Sequence, residues 1–273
     1  MPMLTLESVA QSPILSELTA SFEAGRVVGL IGPNGAGKST LLRTIAGLLR
    51  PTGGAVCVHG VDIHRLSPRR RAQHVAYLPQ SLTEDIPYTV REFVEMGRYS
   101  HGPLFVGARR VAGGDQVADA LDQMGLLALQ DAPLQRVSGG ERQRAGIARC
   151  LAQESPVLLL DEPISNLDIY YQLDIMTQLT RLASRGHLIV IAIHHLEFAL
   201  RFCDELLVVS DGQIYAQGET AQVFTPTMVR DVFGVEATIF LDPVQQHARL
   251  SLSSAEARPL VQVGERSVGG RRE

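Results

Sequence analysis

Four short runs of this chain are apolar almost without interruption: Val27–Ile31, Val157–Leu160, Leu188–Ile193 and Leu206–Ser210. Such runs lack the alternation of a strand with one wet face. They predict strands buried on both faces, as in a parallel sheet covered by helices. The stretches Ser39–Leu48, Ile169–Ser184 and Leu196–Cys203 have helical spacing and fall between those runs. Alternating strand and helix predicts a mostly parallel sheet with crossover helices, an α/β fold. Leu4–Ser8, Ala55–His59 and Val75–Leu78 read as further strands. Ser67-Pro68 starts a small helix over Arg69–Gln73, and Asp211-Gly212 joins Leu206–Ser210 to Gln213–Ala216 as a hairpin.

Residues 81–150 differ in character. Val90, Phe93, Val94 and Gly97 recur at helical spacing within Thr89–Arg98, and Val117, Ala118, Leu121 and Met124 repeat it within Asp115–Met124. Gly113-Gly114 breaks the chain between them. This part is expected to be a mainly helical subdomain inside a single domain spanning 1–263. The tail at 264–273 is expected to be disordered. No internal repeat is visible.

The candidate chemistry begins right after Val27–Ile31. Gly32-Pro33-Asn34-Gly35-Ala36-Gly37-Lys38-Ser39-Thr40 follows a strand, precedes a helix and fits the pattern G-x-x-x-x-G-K-S. Glycines let several N–H groups turn toward one anion, and the helix N-terminus adds partial positive charge. Lys38 is placed to reach outer phosphates, and the Ser39 hydroxyl to hold Mg²⁺. A nucleoside triphosphate is the expected ligand. The loop alone does not separate a kinase, a GTPase, a helicase and a transport ATPase.

Three more signals narrow this. Val157–Leu160 ends in Asp161-Glu162, two carboxylates at the C-terminal end of a buried strand, where ligands gather. Asp161 suits Mg²⁺, and Glu162 suits an attacking water. Ser138-Gly139-Gly140-Glu141 opens a helix running to about Leu151. It reads both as a capping box and as a second anion site with no lysine of its own. His194, after Leu188–Ile193, is placed to donate to a phosphate oxygen. The adjacent His195 does not suggest a metal pair, because neighbouring strand side chains point to opposite faces.

Composition excludes several classes. The chain has 273 residues, 45% of them hydrophobic and 20% charged, with a net charge of −4. Nothing in this balance suggests a nucleic-acid partner. The apolar runs are too short to span a bilayer, and the first residues lack the order of a signal peptide. Cys57, Cys150 and Cys203 form neither a disulfide nor a zinc framework, so a reduced, cytoplasmic protein is expected. Arg69-Arg70-Arg71 reads as a solvated helix face, and Met96, Met124 and Met176 as packing residues.

In order along residues 4–240, these motifs resemble the ATP-binding subunit of an ABC transporter. GPNGAGKST at 32–40 resembles the Walker A loop, Gln80 in YLPQ the Q-loop glutamine, and SGGERQR at 138–144 the signature motif. LLLDEP at 158–163 resembles Walker B with its catalytic glutamate, SNLD at 165–168 the D-loop with Asp168, and His194 the switch histidine. The resemblance implies a P-loop NTPase fold with an antiparallel β part beside the parallel core and a helical subdomain. It implies ATP hydrolysis with Mg²⁺ held by Ser39, Asp161 and Gln80. It further implies a homodimer in which Ser138, Gly139, Gly140 and Asp168 of one copy complete the phosphate site of the other. The expected partners are integral-membrane permease subunits and, indirectly, a substrate-binding protein, with the chain at the cytoplasmic face of the inner membrane.

Thr89–Tyr99, Asp168–Asp174 and Val232–Glu236 resemble importers of iron chelates: siderophores, haem and cobalamin. Manganese and zinc importers share residues like those at 97–101 and form the alternative, followed by a soluble ATPase such as one for cluster assembly. Only about 39 residues follow Gly234, too few for the β-domain appended in many sugar importers or for a second ATPase unit. Three departures from the family stand out. Val9–Ile14 has no aromatic residue to stack on adenine, so phosphates are expected to carry more of the recognition than the base. Val137 and Ile164 replace the commoner leucine and threonine, with packing effects only.

Overall fold

The computed structural model describes residues 1–82, 86–101, 114–165, 167–241 and 248–253, with the backbone alone at 114 and 115. The chain begins with β1 (Leu4–Gln11), β2 (Leu15–Phe22), β3 (Val27–Ile31), α1 (Lys38–Ile45), β4 (Gly53–Val58), β5 (Val61–Asp62), α2 (Pro68–Arg71) and β6 (Val75–Leu78). The helical stretch follows, with α3 (Val90–Glu95), α4 (Gly114–Gln123) and α5 (Gly139–Ala152). Strands and helices then alternate: β7 (Val157–Asp161), α6 (Ile169–Ser184), β8 (Leu188–Ala192), α7 (Leu196–Phe202), β9 (Glu205–Ser210) and β10 (Gln213–Glu219). The last elements are α8 (Thr220–Val223), α9 (Pro226–Phe233), β11 (Glu236–Leu241) and β12 (Ala248–Ser253).

Six strands form one sheet in the order β10-β9-β3-β8-β7-β6. All its pairings are parallel except β10 with β9, which meet across a tight turn where Asp211 and Gly212 have φ of 48° and 72°. Every residue of β3, β7 and β8 is buried. Their side chains divide between two cores. Val27, Ile31, Leu158 and Leu160 face the helices, while Val28, Leu30, Val157 and Leu159 face α1 and a second sheet. That sheet is antiparallel, in the order β2-β1-β4-β5. The apolar runs are therefore uninterrupted because both faces of the sheet are covered.

Two features have no counterpart in the sequence pattern. Strand β2 turns Leu15, Leu18, Ala20 and Phe22 inward, but Glu17 at φ 48° shifts the register and spoils the strict period of two. The β11–β12 hairpin is only partly buried and carries little apolar signal. Other elements shift their bounds. The helical spacing over Thr89–Arg98 divides into α3 and a tighter 3₁₀ turn at Met96–His101. At Gly97 a Cβ would lie 2.2 Å from the Arg149 carbonyl oxygen, so this turn sits hard against α5. Gly114 opens α4 instead of breaking the chain.

Arg69 and Arg70 of the basic run are exposed, and Arg71 is half-buried. Arg69 donates to the Ser100 carbonyl, and Arg71 to the carbonyls of Gly47 and Leu66. Asn166 of the D-loop and the tail at 264–273 lie outside the described residues. Among the described residues, no helix is long and apolar enough to cross a membrane.

Helices α3, α4 and α5 pack on one another through Phe93, Val94, Val117, Leu121, Met124 and Ile147, all buried. Thr89 and Glu92 close a capping box at the start of α3. Phe93 is 1% exposed, with the Arg149 guanidinium 4.7 Å from its ring centre. Phe93→Ala should destabilise the protein by about 3–5 kcal/mol, measured by urea unfolding.

Candidate nucleotide site

Parallel pairing brings the motif residues together. Leu78 pairs with Leu160, Leu160 with Ile191, Asp161 with Ala192, and Ala192 with Leu30. Four strands thus end at one edge. Gln80, Glu162, His194 and Gly32 each follow within two residues of a strand end. This is the C-terminal edge of a parallel sheet, where the chain leaves the core and side chains become available to a ligand.

From β3 the chain enters the glycine loop. Gly32 presses so closely on β9 that a Cβ would lie 2.0 Å from the Val209 carbonyl oxygen. Gly37 adopts φ 99° and caps α1 with no side-chain hydrogen bond, so the first N–H groups of the helix remain open to an anion. Ala36 is buried and its N–H bonds to the Pro33 carbonyl at 3.2 Å, which curls the loop. The Lys38 ammonium donates to the carbonyls of Gly32 and Pro33 at 2.7 and 2.9 Å. Burial pulls its pKa below the ordinary lysine value, while Glu162 and Asp161 oppose that fall.

The two carboxylates at the end of β7 have separate partners. Asp161 is 1% exposed. It accepts from the Ser39 hydroxyl at 3.0 Å on Oδ1 and from the Tyr77 hydroxyl at 3.1 Å on Oδ2. Glu162 adopts φ 51°, a left-handed conformation uncommon for a side chain of this size, and turns its carboxylate out of the strand. Gln80 donates its amide to Glu162 Oε2 at 2.7 Å, and the His194 Nε2 meets Oε1. His194 and His195 lie beyond β8 rather than on it. The His195 ring is 6.0 Å from that of Phe198 and does not line the cleft of the glycine loop.

Asn34, Gly35, Gly37, Lys38, Ser39, Thr40, Glu162 and His194 line an open cleft of about 300 Å³, closed on one side by Ile14. Ser138, Gly139, Gly140 and Asp168 are not among its lining residues. Ser138 caps α5, accepting from the Glu141 N–H at 3.3 Å, while Glu141 accepts from the Ser138 N–H at 2.8 Å. These bonds from Ser138 hold the Glu141 carboxyl below its usual pKa. Gly140 lies under the Tyr171 ring, where a Cβ would approach to 2.9 Å. Asp168 precedes α6 and makes no capping bond with its side chain. The structure therefore gathers the glycine loop, Glu162 and His194 in one cleft and leaves the second anion site elsewhere.

Two residues at the site were not evident from the motifs. Ile14 reaches the cleft because the turn between β1 and β2 folds over the loop, bringing its Cγ2 to 3.1 Å from the Cβ position of Gly37. The aliphatic side chain stands where an aromatic residue was sought. Tyr77 is three residues before Gln80 on β6, and only the sheet register reveals its bond to Asp161.

Comparison with known proteins agrees with this geometry. A profile of the ABC transporter family matches residues 15–165. The cobalamin import ATP-binding protein BtuD of Halobacterium salinarum is 42% identical over 236 residues, 86% of this chain. The chain spans 58% of that relative's length. The iron(3+)-hydroxamate import ATP-binding protein FhuC of Bacillus subtilis is 37% identical over 235 residues, covering 84% of this chain and 86% of the relative. A solved inward-facing structure of a putative metal-chelate type ABC transporter superposes with a TM-score of 0.80 at 26% identity, covering 92% of this chain and 96% of the other. With the fold, the cleft and these relatives in agreement, this chain belongs to the ABC transporter family.

Proposed function

We propose that this chain is the ATP-hydrolysing subunit of a membrane importer whose cargo is an iron chelate such as a siderophore, haem or cobalamin. The observation that carries the hydrolytic reading is Glu162, held between Gln80 and His194 beside the cleft of the glycine loop. The names of the cobalamin and hydroxamate relatives, and the metal-chelate class of the solved structure, support the cargo class.

In this reading the triphosphate lies along the loop from Gly32 to Thr40. The open N–H groups of α1 and the Lys38 ammonium meet its negative charge. Glu162 orients the attacking water and takes its proton, and His194 donates to the γ-phosphate. Ser39 and Asp161 offer hydroxyl and carboxylate oxygens from adjacent elements, a hard donor pair that fits Mg²⁺ with its retained waters. Gln80, whose amide nitrogen is bonded to Glu162, would offer its amide oxygen as a third donor to the metal. Bound Mg²⁺ neutralises charge on the phosphate oxygens.

Ser138, Gly139, Gly140 and Asp168, absent from the cleft of their own chain, serve the phosphates of a second identical copy. ATP then joins two copies and hydrolysis releases them, a ligand-driven population shift. The helical stretch and Gln80 pass this change to permease subunits at the cytoplasmic face of the inner membrane. A substrate-binding protein takes part indirectly, and no nucleic acid is involved.

Glu162→Gln should lower ATP turnover by about 100-fold or more while ATP binding persists. Unchanged turnover would remove Glu162 from the mechanism. Mixing Ser138→Arg and Lys38→Ala chains should restore at most one working site per pair, and full activity of either variant alone would exclude the shared site. Ile14→Tyr should tighten binding of adenine nucleotides by roughly 1 kcal/mol, read by calorimetry, because a ring replaces the aliphatic contact. Uptake of a panel of chelates by a deletion strain, with and without the gene, identifies the cargo.

A further inference from the structure

Asp161 is almost wholly buried, and a buried carboxylate needs its lone pairs met. The Ser39 hydroxyl meets Oδ1 at 3.0 Å. The other oxygen is met by the Tyr77 hydroxyl at 3.1 Å, from the strand that leads into Gln80. Tyr77 stands on β6 opposite Leu159 of β7, and its ring packs at the edge of the core shared with α1. The Arg43 guanidinium on α1 acts on the same phenol electrostatically, and its own pKa is raised in turn. An ionised carboxylate only accepts, so the phenol proton points to Asp161. Asp161 on β7 is thus held between Ser39 on α1 and Tyr77 on β6.

We propose that Tyr77 is a positioning residue for the metal: it holds Oδ2 of Asp161 so that Oδ1 stays turned to Ser39 and to the Mg²⁺ of a bound nucleotide. This rests on the reading of the cleft as a Mg²⁺-ATP site. A carboxylate anchored through only one oxygen is free to rotate about its last torsion, a soft, roughly two-fold motion. The phenol fixes that torsion from β6, while Ser39 meets the carboxylate from α1.

Tyr77→Phe removes one oxygen and keeps the ring, so it separates positioning from packing. Three quantities test it in the full-length protein: urea stability, affinity for a fluorescent ATP analogue in EDTA, and the gain in that affinity on titration with Mg²⁺. The expected result is near-wild-type stability, unchanged affinity in EDTA and a Mg²⁺ half-saturation about 10-fold higher, the scale for partners of metal-site groups. The Mg²⁺ dependence of ATP turnover should shift in parallel. Arg43→Gln should move the same midpoint in the same direction by less. A Mg²⁺ midpoint within twofold of wild type, or an equal loss of affinity with and without Mg²⁺, overturns the positioning role. Failure of the wild-type protein to show any Mg²⁺-dependent gain in ATP affinity removes the underlying reading, and the proposal with it.

Discussion

The ladder of parallel hydrogen bonds across β6, β7, β8 and β3 is the constraint on which the site depends. Parallel strands start at one edge and end at the other, so loops far apart in the chain leave the sheet side by side. Ser39 and Asp161 are 122 residues apart and 3.0 Å from each other. Gln80 and Glu162 are 82 residues apart and bonded at 2.7 Å. A slip of one residue in any pairing would turn one of these side chains from the cleft into a core. The uninterrupted burial of β3, β7 and β8 guards against such a slip, because both faces are already filled.

The two acids that end β7 illustrate how a single residue step separates two tasks. Asp161 is still in the strand, buried, with two hydroxyl donors that keep it a fixed acceptor. Glu162 has left the strand in a left-handed conformation, with groups from two other strand ends around its carboxylate. One carboxylate suits a cation that prefers a rigid oxygen set, and the other suits a water that must be approached and released. The contrast between the two helix N-termini is similar. Helix α1 begins at a glycine with no side-chain cap, while α5 begins with a closed capping box. An open N-terminus thus lies inside the cleft and a capped one outside it.

The sequence determined a good deal by itself. Continuous apolar runs marked the buried strands because no other element hides both of its faces. The glycine loop, Asp161-Glu162 and His194 were legible because their chemistry demands particular residue types at particular offsets from a strand or helix. Helix α6 was readable to its ends, since Ile169–Ser184 carries an amphipathic pattern with nothing to interrupt it. Tertiary structure decided the rest. Strand β2 is masked by a register shift at Glu17, and the β11–β12 hairpin by its shallow burial. Arg71 looked like a surface charge and instead ends on backbone carbonyls 5 and 24 residues away. Ile14 and Tyr77 belong to no local pattern. They reach the site because a turn folds over the loop and because two strands lie in register. Those are long-range facts of packing, and spacing along one chain cannot express them.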